Sequence, residues 1–90
     1  MASYRVKIPP GLRLAGHTAT GQRAVIPPGE HHVHRLRLSA RPSRWGRKDL
    51  LRFVGADFRG RDVHVPIPPG ADIRDVLAVD LMPLHEQREA

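Results

Sequence analysis

The chain has 90 residues and no cysteine, and its 15 Lys and Arg against 9 Asp and Glu give a formal net charge of +6. This length suits one small domain, and the lack of cysteine excludes a disulfide scaffold, a thiolate metal site and a cysteine nucleophile. No apolar run approaches the roughly 20 residues of a membrane span, and the first five residues contain no stretch typical of a secretory signal. We therefore expect a soluble, cytoplasmic protein.

The tetrapeptide Ile-Pro-Pro-Gly occurs three times, at 8–11, 26–29 and 67–70, each time after a run typical of a strand. Two adjacent prolines remove two backbone donors and fix two φ angles, which neither a helix interior nor a central strand tolerates. With the second Pro and the Gly at the central positions, each copy predicts a type II turn. The unequal spacing of the copies indicates independent corners rather than a repeat array.

Alternation of apolar and polar residues predicts the strands. The predicted order is a strand at 4–8 with a basic outer face, a short alternation at 12–14, and then strands at 22–26, 31–40, 50–54 and 63–67. Small and polar residues between two glycines predict a loop at 15–21.

The C-terminal part predicts a helical turn followed by a strand. Asp72, with Asp75 three residues later, is typical of an N-cap. Leu77 and Leu81 then belong to a strand-like alternation. The alternative is a longer helix, which would bring Asp80 near its apolar face, and we favour the turn and strand.

These elements predict an all-β fold with one short helical turn before the last strand. A small antiparallel barrel fits them, with the SH3-like form favoured and the OB-like form second. We expect a single domain over 1–82 and a polar C-terminal tail over 83–90.

The basic residues are unevenly distributed. Residues 1–71 hold thirteen Lys and Arg and four Asp and Glu, whereas residues 72–90 hold two and five. A basic body with an acidic C-terminal element indicates an anionic partner for the body. The alternative is that the many arginines reflect a GC-rich genome.

The densest basic stretch predicts a nucleic-acid-binding site. Arg35 and Arg37, two apart on one strand, are expected to project from the same face about 6–7 Å apart, close to the phosphate spacing of one nucleic-acid strand, and each phosphate contact adds salt-sensitive affinity. Trp45 lies between arginines and can stack on an unpaired base. The alternative is that Trp45 packs on the domain and the arginines are only solvated. The predicted contacts are Arg35, Arg37, Arg41, Arg44, Trp45, Arg47, Lys48 and Arg52.

Histidines form a second cluster around 31–34. His32 and His34 share one strand face, and with His64 as a third ligand they are candidates for a zinc, copper or nickel site. The sequence favours a group of neutral histidines that becomes charged below pH ~6.5. We therefore predict no metal and no cofactor.

Known catalytic patterns are missing from the sequence: there is no Gly-rich phosphate loop, no Gly-x-Ser-x-Gly elbow and no paired-carboxylate motif. We therefore favour a non-catalytic protein and predict no catalytic residue. A metal-free ribonuclease, with His32 or His34 as general base and Arg35 or Arg37 stabilising the transition state, is an alternative.

The rival to nucleic-acid binding is a structural or adaptor protein that acts through a homodimer or a protein partner. Strand edges of a small barrel can pair between chains. The acidic segment 72–89 could also pack on the basic body of a neighbour.

Overall fold

The computed structural model describes residues 2–37, 48–77 and 80–83. The elements are β1 (Ala2–Ile8), β2 (Leu14–His17), β3 (Arg23–Ile26), β4 (Gly29–Leu36), β5 (Asp49–Phe53), β6 (Val63–Ile67), α1 (Ile73–Val76) and β7 (Asp80–Pro83). The prediction of an all-β fold with one short helical turn before the last strand is confirmed.

The strands form one antiparallel sheet in the order β3-β2-β6-β5-β4-β1-β7. β1 lies between β4 and β7, so an early strand is paired with two later ones. Across the described ranges, β3 and β7 are the edges and do not pair with each other, so the sheet is not closed. The SH3-like or OB-like barrel stays a prediction.

One face of the sheet carries the hydrophobic core. Val6, Val33 and Phe53 have no exposed surface, and each belongs to a strand in which alternate residues turn inward, as the pleat requires. Ile73 and Leu77, at either end of the short helix, are buried in the same cluster. The helix therefore helps to cover the core face and leaves the other face of the sheet outside the core.

Two of the three Ile-Pro-Pro-Gly copies form the predicted type II turn. The backbone hydrogen bonds that close them run from Leu12 N to Pro9 O (3.2 Å) and from Ala71 N to Pro68 O (3.1 Å). The glycine in each has the positive φ that this turn needs, 87° in the first and 71° in the third.

The second copy has a different role. Gly29 has a φ of 122° and already pairs with Ile8 as the first residue of β4. Because β3 and β4 are not neighbours in the sheet, this copy links two strands that do not pair with each other and does not close a hairpin.

The loop predicted at 15–21 is wrong in its first half, because Leu14–His17 is β2. Gly16 is buried, and a Cβ at this position would lie 2.6 Å from the carbonyl oxygen of His64 and 2.7 Å from Val63 Cγ1. The small residue that resembled a loop residue is needed because β6 passes close to the backbone. The remaining loop is closed by a hydrogen bond from Thr18 N to Gln22 O of 2.8 Å.

The predicted N-cap is confirmed, since Asp72 Oδ1 accepts a hydrogen bond of 2.9 Å from Arg74 N. The final strand lies slightly later than predicted, at Asp80–Pro83. It includes the first residue of the predicted tail, while 84–90 lie outside the described residues, as do 38–40 of the strand predicted at 31–40.

We expect Gly16→Ala to destabilise the protein by roughly 1–3 kcal/mol, because the added methyl group meets backbone that cannot move without disturbing β6. Urea denaturation measures this change. Ala15→Ser, at the exposed neighbouring position, is the control and should change the free energy of unfolding by less than about 0.5 kcal/mol. Equal stability of the Gly16→Ala variant and the wild type would contradict the close approach of the two strands.

Candidate nucleic-acid interface

Arg35 lies in the interior, with 6% of its surface exposed. Its Nη2 and Nε donate to Asp49 Oδ2 at 2.6 and 3.2 Å, and its Nη1 donates to the carbonyl oxygen of Ala71. Gly70 N donates to the same Asp49 oxygen at 3.1 Å. These charge-assisted bonds join β4, β5 and the third Pro-Pro-Gly turn. A phosphate cannot reach Arg35 in this arrangement, so Arg35 has a structural role.

Arg37 and Lys48 are exposed at one end of the β4–β5 hairpin. The two strands are antiparallel neighbours, so these cations stand at the two ends of 38–47. The side chain of Arg37 is 69% exposed, with Nη1 4.0 Å from Asp49 Oδ2. The other predicted contacts within this segment lie outside the described residues; they are Arg41, Arg44, Trp45 and Arg47.

Arg52 projects from the face of the sheet opposite to Arg35. In the β4–β5 register, Arg52 pairs with His34, and Arg35 pairs with the next residue position, Leu51. Because successive residues of a strand point to opposite faces, the two arginines lie on opposite faces of the sheet. The register continues from Arg52 through the neighbouring strands on both sides. The resulting line of residues, here called the cross-strand row, is Arg23 (β3), His17 (β2), His64 (β6), Arg52 (β5), His34 (β4) and Ser3 (β1).

The sequence could identify only part of the cross-strand row. His17 fell within a predicted loop, and its pairing with His64 joins strands far apart in sequence. Arg23 carries one local signal, the alternation of β3 in which Ala24 and Ile26 are buried and Arg23 is exposed. This alternation therefore predicts on which face of the sheet Arg23 lies, but it does not predict which residues of the neighbouring strands lie beside it.

The adjacent histidines separate onto the two faces of the sheet. The rings of His32 and His34 stack on the outer face with centroids 5.1 Å apart and an interplanar angle of 25°. Ser3 Oγ lies 3.4 Å from His34 Nδ1. His31 points the other way, with Nε2 2.8 Å from Pro27 O and its ring edge-on to Phe53. The contacts of His31 are therefore with the fold itself, and this histidine does not belong to the outer face.

His64, the third candidate metal ligand, lies in the cross-strand row with Arg52 between it and His34 in the register. Within 2–37, 48–77 and 80–83, no group of three or more His, Asp or Glu is arranged to hold a metal ion. A guanidinium between the imidazoles instead favours anions at this face.

The environment of the row keeps two of its imidazoles largely neutral near pH 7. Burial lowers the pKa of His34, and the charges of Arg52 and His32 lower it further against the opposing effect of Asp62. Burial also lowers the pKa of His64, where Asp62 opposes the shift and Arg52 adds to it.

No family model, curated protein or solved structure matches this chain. Among its described residues, no helix is long and apolar enough to cross a membrane. The chemistry of the molecule is therefore inferred from its own side chains.

We expect Asp49→Asn to cost about 3–5 kcal/mol of stability, because it leaves the guanidinium of Arg35 buried without its counter-charge. Urea denaturation at pH 7 measures the loss. The matched control is Glu30→Gln, which removes the carboxylate of the exposed Arg5–Glu30 pair, 3.2 Å long, and should cost about 0–1 kcal/mol. Similar losses in the two variants would contradict the structural role of the buried pair.

We expect the free energy of unfolding to fall as the pH decreases from 7.5 to about 5.5. The pKa values of His34 and His64 are lowered in the folded state, so the unfolded chain binds more protons below pH ~6.5 and is favoured there. Urea titrations at the two pH values measure this slope. The double variant His34→Gln, His64→Gln should have a smaller slope, and an unchanged slope would show that other groups cause it.

Proposed function

We propose that the protein is a non-catalytic nucleic-acid-binding module that contacts phosphates at the end of the β4–β5 hairpin. We call the residues there the hairpin-end cluster: Arg37, Arg41, Arg44, Trp45, Arg47 and Lys48. The observation that carries the proposal is the exposure of Arg37 and Lys48 at the two ends of 38–47. Five cations and the only Trp of the chain thus lie on one continuous segment that starts and finishes at neighbouring strands.

Ion pairing also bears on which cations are available at the hairpin end. The described ion pairs use the charges of Arg5, Arg35 and Arg61, and Arg37 Nη1 lies 4.0 Å from the same carboxylate that Arg35 holds. Lys48 is in none of these pairs. Exposed cations without a fixed carboxylate are available to release counterions from a phosphate backbone, which is the main source of affinity for nucleic acid.

Trp45 gives the cluster a second kind of contact. An indole ring between arginines can stack on an unpaired base while the guanidinium groups hold the flanking phosphates. This combination favours single-stranded DNA or RNA, because unpaired bases can stack on an aromatic side chain without a base-specific pattern of hydrogen bonds.

As part of the same proposal, the sheet belongs to a small SH3-like barrel, with the OB-like form as the alternative, and the protein acts in the cytoplasm. The features that support the barrel are seven short strands, Pro-Pro-Gly corners and a helical turn immediately before the last strand. A cysteine-free chain is compatible with a reducing compartment.

We expect the triple variant Arg41→Ala, Arg44→Ala, Arg47→Ala to bind oligonucleotides more weakly and with a smaller dependence on salt. For single strands, each lost phosphate contact reduces the slope of log K against log salt by about 0.7, so three contacts correspond to about 2. Fluorescence anisotropy of labelled DNA and RNA at about 50 and 200 mM salt measures the slope, and quenching of Trp45 emission reports on its stacking.

The matched control for this triple variant removes the same charge from exposed positions elsewhere, Arg13→Ala, Arg59→Ala, Arg74→Ala. It should keep most of the affinity. Equal losses in the two triple variants would mean that net charge alone drives binding, and no binding by the wild type at low salt would reject the proposed function.

Self-association is the second candidate function, and one observation favours it. A groove of about 430 Å³ lies beside edge strand β3, lined by residues that include Val25 and Phe58. Phe58 is 88% exposed and Val25 is 50% exposed. A second copy of this chain could pair with β3 and cover these side chains. Phe58→Ser would then lower the dimer fraction in analytical ultracentrifugation, and a wild type that is monomeric at high concentration would reject this candidate.

A further inference from the structure

The cross-strand row, with two arginines and three histidines, is a second polar feature separate from the hairpin-end cluster. Five of its six residues are Arg or His, and they come from five different strands. Neighbouring strands lie about 4.8 Å apart, so six strands extend the row over roughly 24 Å. Folding thus makes a continuous line from residues that are scattered through the sequence.

The two arginines of the row are not held by the ion pairs that hold Arg5, Arg35 and Arg61. Among the described ion pairs and side-chain hydrogen bonds, none involves Arg23 or Arg52. Arg52 Nε is shielded from solvent and has no hydrogen-bond partner. The carboxylate whose charge acts on His34 and His64 is that of Asp62, and its Oδ1 already accepts a hydrogen bond from Gly55 N at 2.9 Å.

An apolar line lies next to the row on the same face. The residues of this line lie two positions along each strand from a residue of the row. Leu36 pairs with Leu50, Leu50 pairs with Pro66, and Ala15 pairs with Val25. Val25 and Ala15 are exposed, while Leu50 is buried outside the main core cluster. The outer face therefore combines a line of cations and imidazoles with a line of apolar side chains.

We propose that single-stranded nucleic acid lies on this face at right angles to the β-strands, with its phosphates along the cross-strand row. This inference rests on the proposed function and extends it from the hairpin end to the sheet. Arg23 and Arg52 bind phosphates, and His17, His64 and His34 donate hydrogen bonds to the backbone or stack with bases. The exposed members of the apolar line, Ala15 and Val25, contact sugars and base edges.

The shape of the face selects a single strand over a duplex. Five of the six residues of the row are half-buried side chains of the sheet itself, so the row is a shallow surface that suits a single strand with unpaired bases better than the groove of a duplex. A length of roughly 24 Å suits about four nucleotides, at the lower end of the site sizes of single-strand-binding folds.

The test uses two double variants: the row variant Arg23→Gln, Arg52→Gln and the matched variant Arg59→Gln, Arg74→Gln. For each variant, we compare the binding of a labelled oligothymidylate with the binding of a duplex of equal length. Both variants lose two positive charges, but Arg59 and Arg74 lie in the β5–β6 loop and in α1, away from the row. We expect the row variant to bind the single strand at least about tenfold more weakly at 50 mM salt and to reduce the salt slope by about 1.4. The matched variant should change little.

A second measurement uses only the wild type. Its imidazole NMR signals, assigned by through-bond correlation to the backbone of the isotope-labelled protein, are followed as the oligothymidylate is added. We expect shifts at His17, His34 and His64 and none at His31, which lies on the other face.

The outcomes separate the two proposals. Binding that depends on the hairpin-end cluster, with unshifted row histidines and a row variant equal to the matched variant, would overturn the cross-strand path and leave the proposed function standing. Equal use of the row by the duplex would overturn the choice of a single strand. No binding of any oligonucleotide by the wild type would reject both.

Discussion

The buried pair of Arg35 and Asp49 is the interaction on which the rest of the structure depends. It joins β4 to β5 and holds the third Pro-Pro-Gly turn, which leads into the short helix over the core. Breaking a buried pair by removing one partner is far more costly than losing a surface pair, because the remaining charge stays desolvated. A buried ion pair thus lies inside the basic segment and holds β4 and β5 together near the end of their hairpin.

Local patterns in the sequence predicted the features that are governed by local geometry. Alternation identified the inward and outward faces of the strands, the Pro-Pro-Gly copies predicted two type II turns, and Asp72 marked the start of the helix. Two errors have long-range causes. Gly16 resembled a loop residue because its contact with His64 joins β2 to β6, and the second Pro-Pro-Gly differs because the strands that it connects are not neighbours.

The candidate site shows the same limit more clearly. Arg35 and Arg37 were predicted to act together on one strand face, but only the structure reveals that a carboxylate fourteen residues away, at Asp49, holds Arg35 in the interior. The cross-strand row needs the register of five strand pairs at once, and no local pattern encodes such a combination. The alternation within a strand shows on which face of the sheet a side chain lies. The order of the strands in the sheet determines which other side chains lie beside it.

The position of β1 in the sheet has a consequence for synthesis of the protein. Its two neighbours, β4 and β7, are both made later, and the β2–β3 hairpin is completed while β1 still lacks either of them. Because a chain is synthesised at only about 5–20 residues per second, the edges of β1 stay open on the ribosome much longer than a hairpin takes to form. The basic outer side chains of β1, Arg5 and Lys7, are suited to this interval, since charges on an unpaired strand oppose its pairing with other nascent chains.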